Sequence, residues 1–283
     1  MEIPMIKIAT IAGSDASGGA GLEADLKTFE EYGLYGMAAV TLIATMDPGD
    51  NWAHRVFPLG EEALRSQLET IFPGVGVAAA KTGMLGSFYA VDLAREYLEK
   101  YRVSAYVLDP VMVCKGAGEA LNPELNAAVE EKLLPLAEIA TPNLFEAEQL
   151  SGLKEITCIQ QMKEAAKIIH AKGSRHVLVK GGAKLRETAE PESGGPKAVD
   201  LFYDGKEFVI LEEDLVKTTW NHGAGCTTSA AIASGLARSL PVREAVVLAK
   251  KFITSSLKAG FALNKWVGPG DPSAWRKDRL FGK

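Results

Sequence analysis

Residues 4–44, PMIKIATIAGSDASGGAGLEADLKTFEEYGLYGMAAVTLIA, decide the fold class. The run 4–12 (PMIKIATIA) is almost continuously apolar, as a strand buried on both faces is. A glycine-rich loop, GSDASGGAG (Gly13–Gly21), follows, and residues 21–32 then place apolar side chains at helical spacing. A second apolar run, 36–44 (GMAAVTLIA), closes the unit. Strand, helix and strand in that order make the crossover that joins parallel strands. The alternation continues outward: 104–109 (SAYVLD) and 176–180 (HVLVK) read as strands, and 61–72, 86–100, 122–134 and 157–171 as helices. Asn122 and Pro123 suit the N-cap and first turn of one helix, and Thr157 the cap of another. After residue 180 the runs 198–204 and 206–211 flank an Asp204-Gly205 turn, as in a hairpin, and helices follow at 224–238 and 242–260. The expected architecture is one α/β domain over residues 1–283, with a mostly parallel central sheet and helices on both faces. The polar stretch 183–197 (AKLRETAEPESGGPK) is expected to be a mobile surface loop inside that domain.

The chain has 283 residues, 47% hydrophobic and 24% charged, which excludes disorder as its main state. Its net charge is −5, from 31 basic and 36 acidic side chains, so there is no basic footprint for a nucleic-acid partner. No run approaches the length of a membrane span, and MEIPMIKIAT lacks the basic region and cleavage site of a signal peptide, so a soluble protein of a reducing compartment, without membrane contact, is expected. Cys114, Cys158 and Cys226 are too few and too scattered for a disulfide framework or a zinc site.

In sheets of this kind ligands lie beyond the carboxyl ends of the strands. GSDASGGAG permits close backbone approach, and its helix-opening amides can hold an anion. It is neither a Walker A loop nor a dinucleotide fingerprint, and a plain tight turn is the competing reading. DPVMVCKGAG (Asp109–Gly118) sets Asp109 at a strand end, where a carboxylate suits Mg2+ or phosphate-linked water. The stretch beyond it reads as a lid over about 112–120, in which Cys114 is either an incidental or a reactive thiol. In TPNLFEAEQL (Thr141–Leu150) Asn143 and Glu146 point the same way at a helix start, which fits a cap with an acid in the first turn as well as a site. Lys180 ends the strand in HVLVKGG and faces the same cleft unless it is simply solvated. The strongest motif is NHGAGCTTSAAIASGLA (Asn221–Ala237). Gly223 and Gly225 free the backbone where an apolar helix begins, leaving N–H groups aimed at an anion. Cys226 sits where the helix dipole favours thiolate, with a buried structural cysteine as the alternative. Cys158 reads as packing and His170 as helix surface, while His54 and His222 flank candidate loops without an assignment.

Taken in order, GSDASGGAG, KTGMLG (Lys81–Gly86), DPVMV, TPNLFEAEQL, VKGG and HGAGCTTSAA resemble the ribokinase superfamily. Within it they resemble the vitamin-kinase branch of hydroxymethylpyrimidine/phosphomethylpyrimidine kinases and related pyridoxal kinases, from about residue 5 to residue 260. Many sugar kinases of the superfamily carry Gly-Ala-Gly-Asp at the anion hole, the aspartate being the base, and Cys226 takes that place here. HGAGC, Cys114 and His54 together are similar to the dual-cysteine pyridoxal kinases. The resemblance implies ATP-dependent phosphorylation of the pyridoxal hydroxymethyl group. The alternative is a hydroxymethylpyrimidine kinase, and a non-catalytic nucleotide- or vitamin-binding regulator is the reading from another class. It further implies that Asn143, Lys180, Asp200, Gly223, Ala224 and Gly225 contact ATP, and that Asp109 and Glu146 help to hold Mg2+, in part through water. Ser14, Asp15, Gly19, His54, Met84 and Cys114 would line the vitamin pocket. Cys226, Lys180 and Cys114 would be the catalytic groups: the base, a charge stabiliser, and a thiol that adds to the pyridoxal aldehyde. A cytoplasmic homodimer needing no partner protein is also implied. The 183–197 stretch is longer than that family leads one to expect, which leaves nearby adenine contacts open.

Overall fold

The computed structural model describes residues 5–112, 122–185 and 196–276. Its sheet is built from β1 (Lys7–Asp15), β2 (Tyr35–Asp47), β3 (Ala53–Pro58), β4 (Ala79–Thr82), β5 (Tyr106–Leu108), β6 (Ile139–Ala140), β7 (Val177–Gly182), β8 (Lys197–Tyr203) and β9 (Phe208–Asp214). The spatial order is β3-β2-β1-β4-β5-β6-β7-β8-β9. Strands β2, β1, β4, β5, β6 and β7 run parallel, while β3 at one edge and β8 and β9 at the other are antiparallel. The order reverses at β1, whose neighbours are β2 on one side and β4 on the other. That reversal opens a crevice at their carboxyl ends.

Alternate residues of the central strands enter two separate cores, which is why the strands are apolar without a break. Ile8, Ala79, Val107, Ile139, Leu178 and Phe202 face α1 (Gly21–Glu31), α7 (Ala224–Ala237) and α8 (Val242–Lys258), packing with Phe29, Ile232 and Phe252. Ala9, Ala80, Leu108, Ala140, Val179 and Leu201 face the opposite layer of α2 (Glu61–Glu69), α3 (Phe88–Lys100), α4 (Pro123–Lys132), α5 (Leu144–Ser151) and α6 (Ile159–Ala171). The single-domain α/β architecture is the expected one. No helix among the described residues is long and apolar enough to cross a membrane.

Several local expectations change. β1 extends through Gly13, Ser14 and Asp15, so the glycine-rich loop begins only at Ala16. Strand β4 is AAKT, made largely of poor strand formers, and β6 has two residues, so neither carries a periodic signal. The helix expected over 61–72 ends at Glu69 and continues as a π-helical turn, Thr70–Val75. Pro73 within that turn lacks the N–H an α-helical bond would need. Asn122 caps α4 as expected, accepting from Glu124 N, with Pro123 in the first turn. At α6 the N-cap is Cys158, not Thr157, because Thr157 commits its N–H and hydroxyl to Gln161 Oε1. His170 is not simply helix surface, since its Nδ1 meets Ser174 O at 2.8 Å and its ring lies edge-on to Tyr203. The proposed lid, with Cys114, and most of the 183–197 loop lie outside the described residues.

Candidate active site

The carboxyl ends of β4, β5 and β7 bring buried charges together. Lys180 Nζ donates to Asp109 Oδ1 at 2.9 Å. Lys81 Nζ bonds both oxygens of Asp25 at 2.9 Å and lies 3.9 Å from Asp109 Oδ2. Asp25 comes from α1 and also accepts Thr10 Oγ1 at 2.7 Å, and both Lys81 and Asp25 are fully buried. Burial by itself would neutralise each of these groups. The two lysines overcome that penalty at Asp109 and hold it below the usual carboxylate range. The carboxylates in turn hold Lys81 and Lys180 above the normal ammonium range, whereas at Asp25 burial prevails and raises its pKa. Lys81→Met strands Asp25 without its cation, and chemical denaturation should show a loss of about 3–5 kcal/mol. Adding Asp25→Leu to that variant should return most of it.

Asn143 and Glu146 form a reciprocal capping box at α5. Asn143 Oδ1 accepts from Glu146 N at 3.0 Å, and Glu146 Oε2 accepts from Asn143 N at 2.8 Å. The modest reading of that motif, a cap, is therefore present whatever else the residues do. Burial, with the nearby Asp109 charge adding to it, pushes Glu146 up to about 7 against the pull of Lys180. Among the described residues no three His, Cys, Asp or Glu side chains cluster as a protein cage for a metal. The donor chemistry is nevertheless that of Mg2+, which binds through one or two carboxylates, retained waters and substrate phosphates. Asp109 and Glu146 supply such a pair.

At the start of α7, Gly223 is left-handed (φ +75°) and caps the helix. A Cβ there would stand 2.0 Å from Gly19 O, so only glycine lets the two loops meet. A Cβ on Gly225 would instead stand 3.4 Å from Lys180 Nζ, an ordinary contact. The strict demand for glycine is thus at 223. Gly223→Ala should lower the melting temperature and the activity together, whereas Gly225→Ala should fold normally, its methyl meeting Lys180 Nζ without displacing it. Thermal denaturation beside an activity assay separates the two. Cys226 lies half-buried in the first turn of α7. Burial works against the thiolate that the helix dipole would favour. Burial pushes the thiol up to about 11, although Lys81 and the Gly21 N–H pull it down.

Ser14, Asp15 and Met84, expected to line a vitamin pocket, are each hydrogen-bonded to residues outside that expected set. Ser14 Oγ donates to Glu23 Oε1 at 2.5 Å, and Asp15 N to Glu23 Oε2 at 2.8 Å. Asp15 is held down to about 2, against the effect of burial, by hydrogen bonds from His222 and Ser17. Gly19 is buried under the His222 ring, and His54, half-buried on β3, has its pKa lowered by burial and by His222. Met84 is half-buried, and its carbonyl accepts from Thr41 Oγ1 at 2.8 Å. Asp200, expected to contact ATP, has its carboxylate engaged within the protein. Asp200 accepts from Gly182 N at 3.0 Å and pairs with Lys250 of α8 at 2.7 Å, so its carboxylate joins sheet to helix. His222, Lys81 and Asp25 belong to these clusters and were missed as site residues. Only the position of His222 beside Gly223, and of Lys81 inside KTGMLG, could have pointed to them. A cleft of about 490 Å3, lined by Val216, Lys217, Trp220, Leu257, Lys258 and Gly260, runs along the segment leading into Gly223.

Compared with known proteins, residues 15–271 match the family model of phosphomethylpyrimidine kinase. The chain is 50% identical to the pyridoxine kinase of Bacillus subtilis over 96% of its own length and 97% of that protein. The crystal structure of the Bacillus subtilis pyridoxal kinase–ADP complex superposes with a TM-score of 0.91 at 49% identity, covering 96% of this chain and 99% of that one. The Staphylococcus aureus pyridoxal kinase in complex with AMP-PCP and pyridoxal gives 0.89 at 45% identity, covering 97% and 96%. With its fold, its motif order and a family match across most of its length, this chain belongs to the phosphomethylpyrimidine kinase family.

Proposed function

We propose that this chain transfers the γ-phosphoryl group of ATP to the hydroxymethyl group of pyridoxal. The observation that carries the reading is a buried ammonium beside an anion-binding helix start: Lys180 Nζ would lie 3.4 Å from a Cβ on Gly225. The pyridoxine and pyridoxal kinases at 45–50% identity favour a B6 vitamer over hydroxymethylpyrimidine as the alcohol.

In this reading the adenine side of ATP occupies the cleft along Val216–Trp220, and the γ-phosphate meets the amides of Ala224, Gly225 and Cys226. Phosphoryl transfer needs positioning and charge stabilisation more than covalent help. Lys180 supplies positive charge to the equatorial oxygens. The hydroxymethyl oxygen attacks, the bond from the γ-phosphorus to the bridging oxygen breaks, and Cys226 as thiolate accepts the hydroxyl proton. Asp109 and Glu146 would hold Mg2+, which when bound neutralises phosphate charge. Asn143 contributes by fixing Glu146. Gly19, His54 and Met84 line the alcohol side. Cys114 is proposed to add to the pyridoxal aldehyde, its sulfur bonding the carbonyl carbon while the oxygen takes the proton. We also propose a homodimer, supported by exposed Ile43, Val56 and Phe57 on the β2–β3 ribbon.

The test is ATP turnover with pyridoxal, pyridoxine, pyridoxamine and hydroxymethylpyrimidine side by side. Pyridoxal should give the highest kcat/KM among them, and a preference for hydroxymethylpyrimidine would overturn the substrate reading. Cys114→Ala should slow pyridoxal by about tenfold or more while leaving pyridoxine, which has no aldehyde, near wild type. Equal losses on both would reject the covalent role.

A further inference from the structure

Two loops far apart in the chain meet where the alcohol and the γ-phosphate would meet. Asp15 ends β1, and His222, which precedes the helix-capping Gly223, comes 207 residues later. Their side chains are 8% and 10% exposed. The Asp15 carboxylate accepts from Ser17 N at 2.8 Å and from Ala20 N at 2.9 Å, and these bonds shape the loop. His222 Nε2 then donates to Asp15 Oδ2 at 2.7 Å. An ionised carboxylate only accepts, so Nε2 must carry the proton.

The backbones close on each other at the same place. A Cβ on Gly19 would stand 2.7 Å from His222 Cδ2, and one on Gly223 would stand 2.0 Å from Gly19 O. The Gly21 N–H of the first loop faces the Cys226 sulfur of the second. A displacement of one loop is therefore a displacement of the alcohol side relative to the anion-binding amides and the thiol.

We propose that His222 and Asp15 are a positioning pair that holds the loop between β1 and α1 in register with the start of α7, so that the attacking hydroxyl meets the γ-phosphorus in line. This rests on the kinase reading above. Neither residue need touch a reacting atom, because Asp15 spends its carboxylate on its own loop and on His222. The pair sets the distance between two sites and adds little to binding at either. It acts on the rate, since a misplacement of about 1 Å costs on the order of 10²-fold.

Steady-state kinetics of the full chain with ATP and pyridoxal test this on wild type, His222→Ala, His222→Gln and His222→Asn. Glutamine carries its N–H to about the reach of Nε2, whereas the asparagine amide falls short. His222→Ala and His222→Asn should lower kcat by about 10²-fold while both KM values stay within about threefold of wild type. His222→Gln should recover kcat to within about fivefold. A raised KM for pyridoxal with unchanged kcat would place His222 on the substrate and overturn the proposal. A glutamine variant as slow as asparagine would overturn it too, and that comparison stands even if the alanine variant fails to fold. Wild type inactive on pyridoxal sinks the substrate reading and this pairing with it. Active wild type with an equally fast His222→Ala sinks the pairing alone.

Discussion

Cys226→Ala should lower kcat by about 10²–10³-fold for every B6 vitamer, and the wild-type rate should climb about tenfold per pH unit across the neutral range. The second half follows from where the thiol sits. Burial pushes it up to about 11, with Asp109 and Asp25 adding to the effect and Lys81 and the Gly21 N–H opposing it. At pH 7 a thiol at that value is ionised in about one molecule in 10⁴. The proton-accepting form is the thiolate, which is gained as pH rises. A step that needs it therefore accelerates with pH until the thiol itself titrates. Cys226→Asp puts in a carboxylate that, even raised by the burial that raises Asp25 and Glu146, ionises at lower pH than the thiol, so its profile should level off at lower pH than the wild type's. Measuring kcat from pH 6 to 9 at saturating ATP, Mg2+ and vitamer decides the matter. A flat wild-type profile, or an alanine variant at the wild-type rate, would remove Cys226 as the base.

The same residue shows where sequence reasoning stops. That Gly223, Gly225 and Cys226 open a helix is local information, carried by adjacent residues, and it was legible. That the thiol resists ionisation depends on Asp25, Lys81 and Asp109, which come from α1, β4 and the end of β5. Asp25 lies in an amphipathic stretch and looks like a solvated helix residue, and only the packing of α1 on the sheet buries it completely. The broad architecture was readable because long strands such as β1 and β2 carry many apolar residues in register. Strands β4 and β6 were not, because a few residues of Ala, Lys and Ile hold too little pattern and are strands only through their neighbours. His222 opens the HGAGC motif, but the motif alone does not say what its side chain does. Its meaning lies in Asp15, a contact made by the fold.

Lys180→Met should lower kcat by about 10³-fold and also destabilise the protein, and the two effects can be separated. Lys180 Nζ pairs with Asp109 Oδ1 at 2.9 Å, and their side chains are 11% and 3% exposed. Removing the ammonium leaves a buried carboxylate with only the more distant Lys81, a loss of about 3–5 kcal/mol for a broken buried pair. The loss also moves protons. Lys180 is the largest influence holding Asp109 down and the largest opposing burial at Glu146, so without it both pKa values rise. Glu146, already at about 7, would then be mostly protonated at neutral pH. With Asp109 and Glu146 as the proposed Mg2+ carboxylates, any enhancement of nucleotide binding by Mg2+ should fall at pH 7 and recover in part at higher pH, as the carboxyl ionises. Adding Asp109→Asn removes the stranded charge and should return most of the stability seen by urea unfolding. It cannot return the positive charge that the transferring phosphoryl group requires, so kcat should stay low. A Lys180→Met enzyme at the wild-type kcat under saturating ATP and Mg2+ would show that the ammonium only holds Asp109 in place. A double variant that regained rate along with stability would say the same.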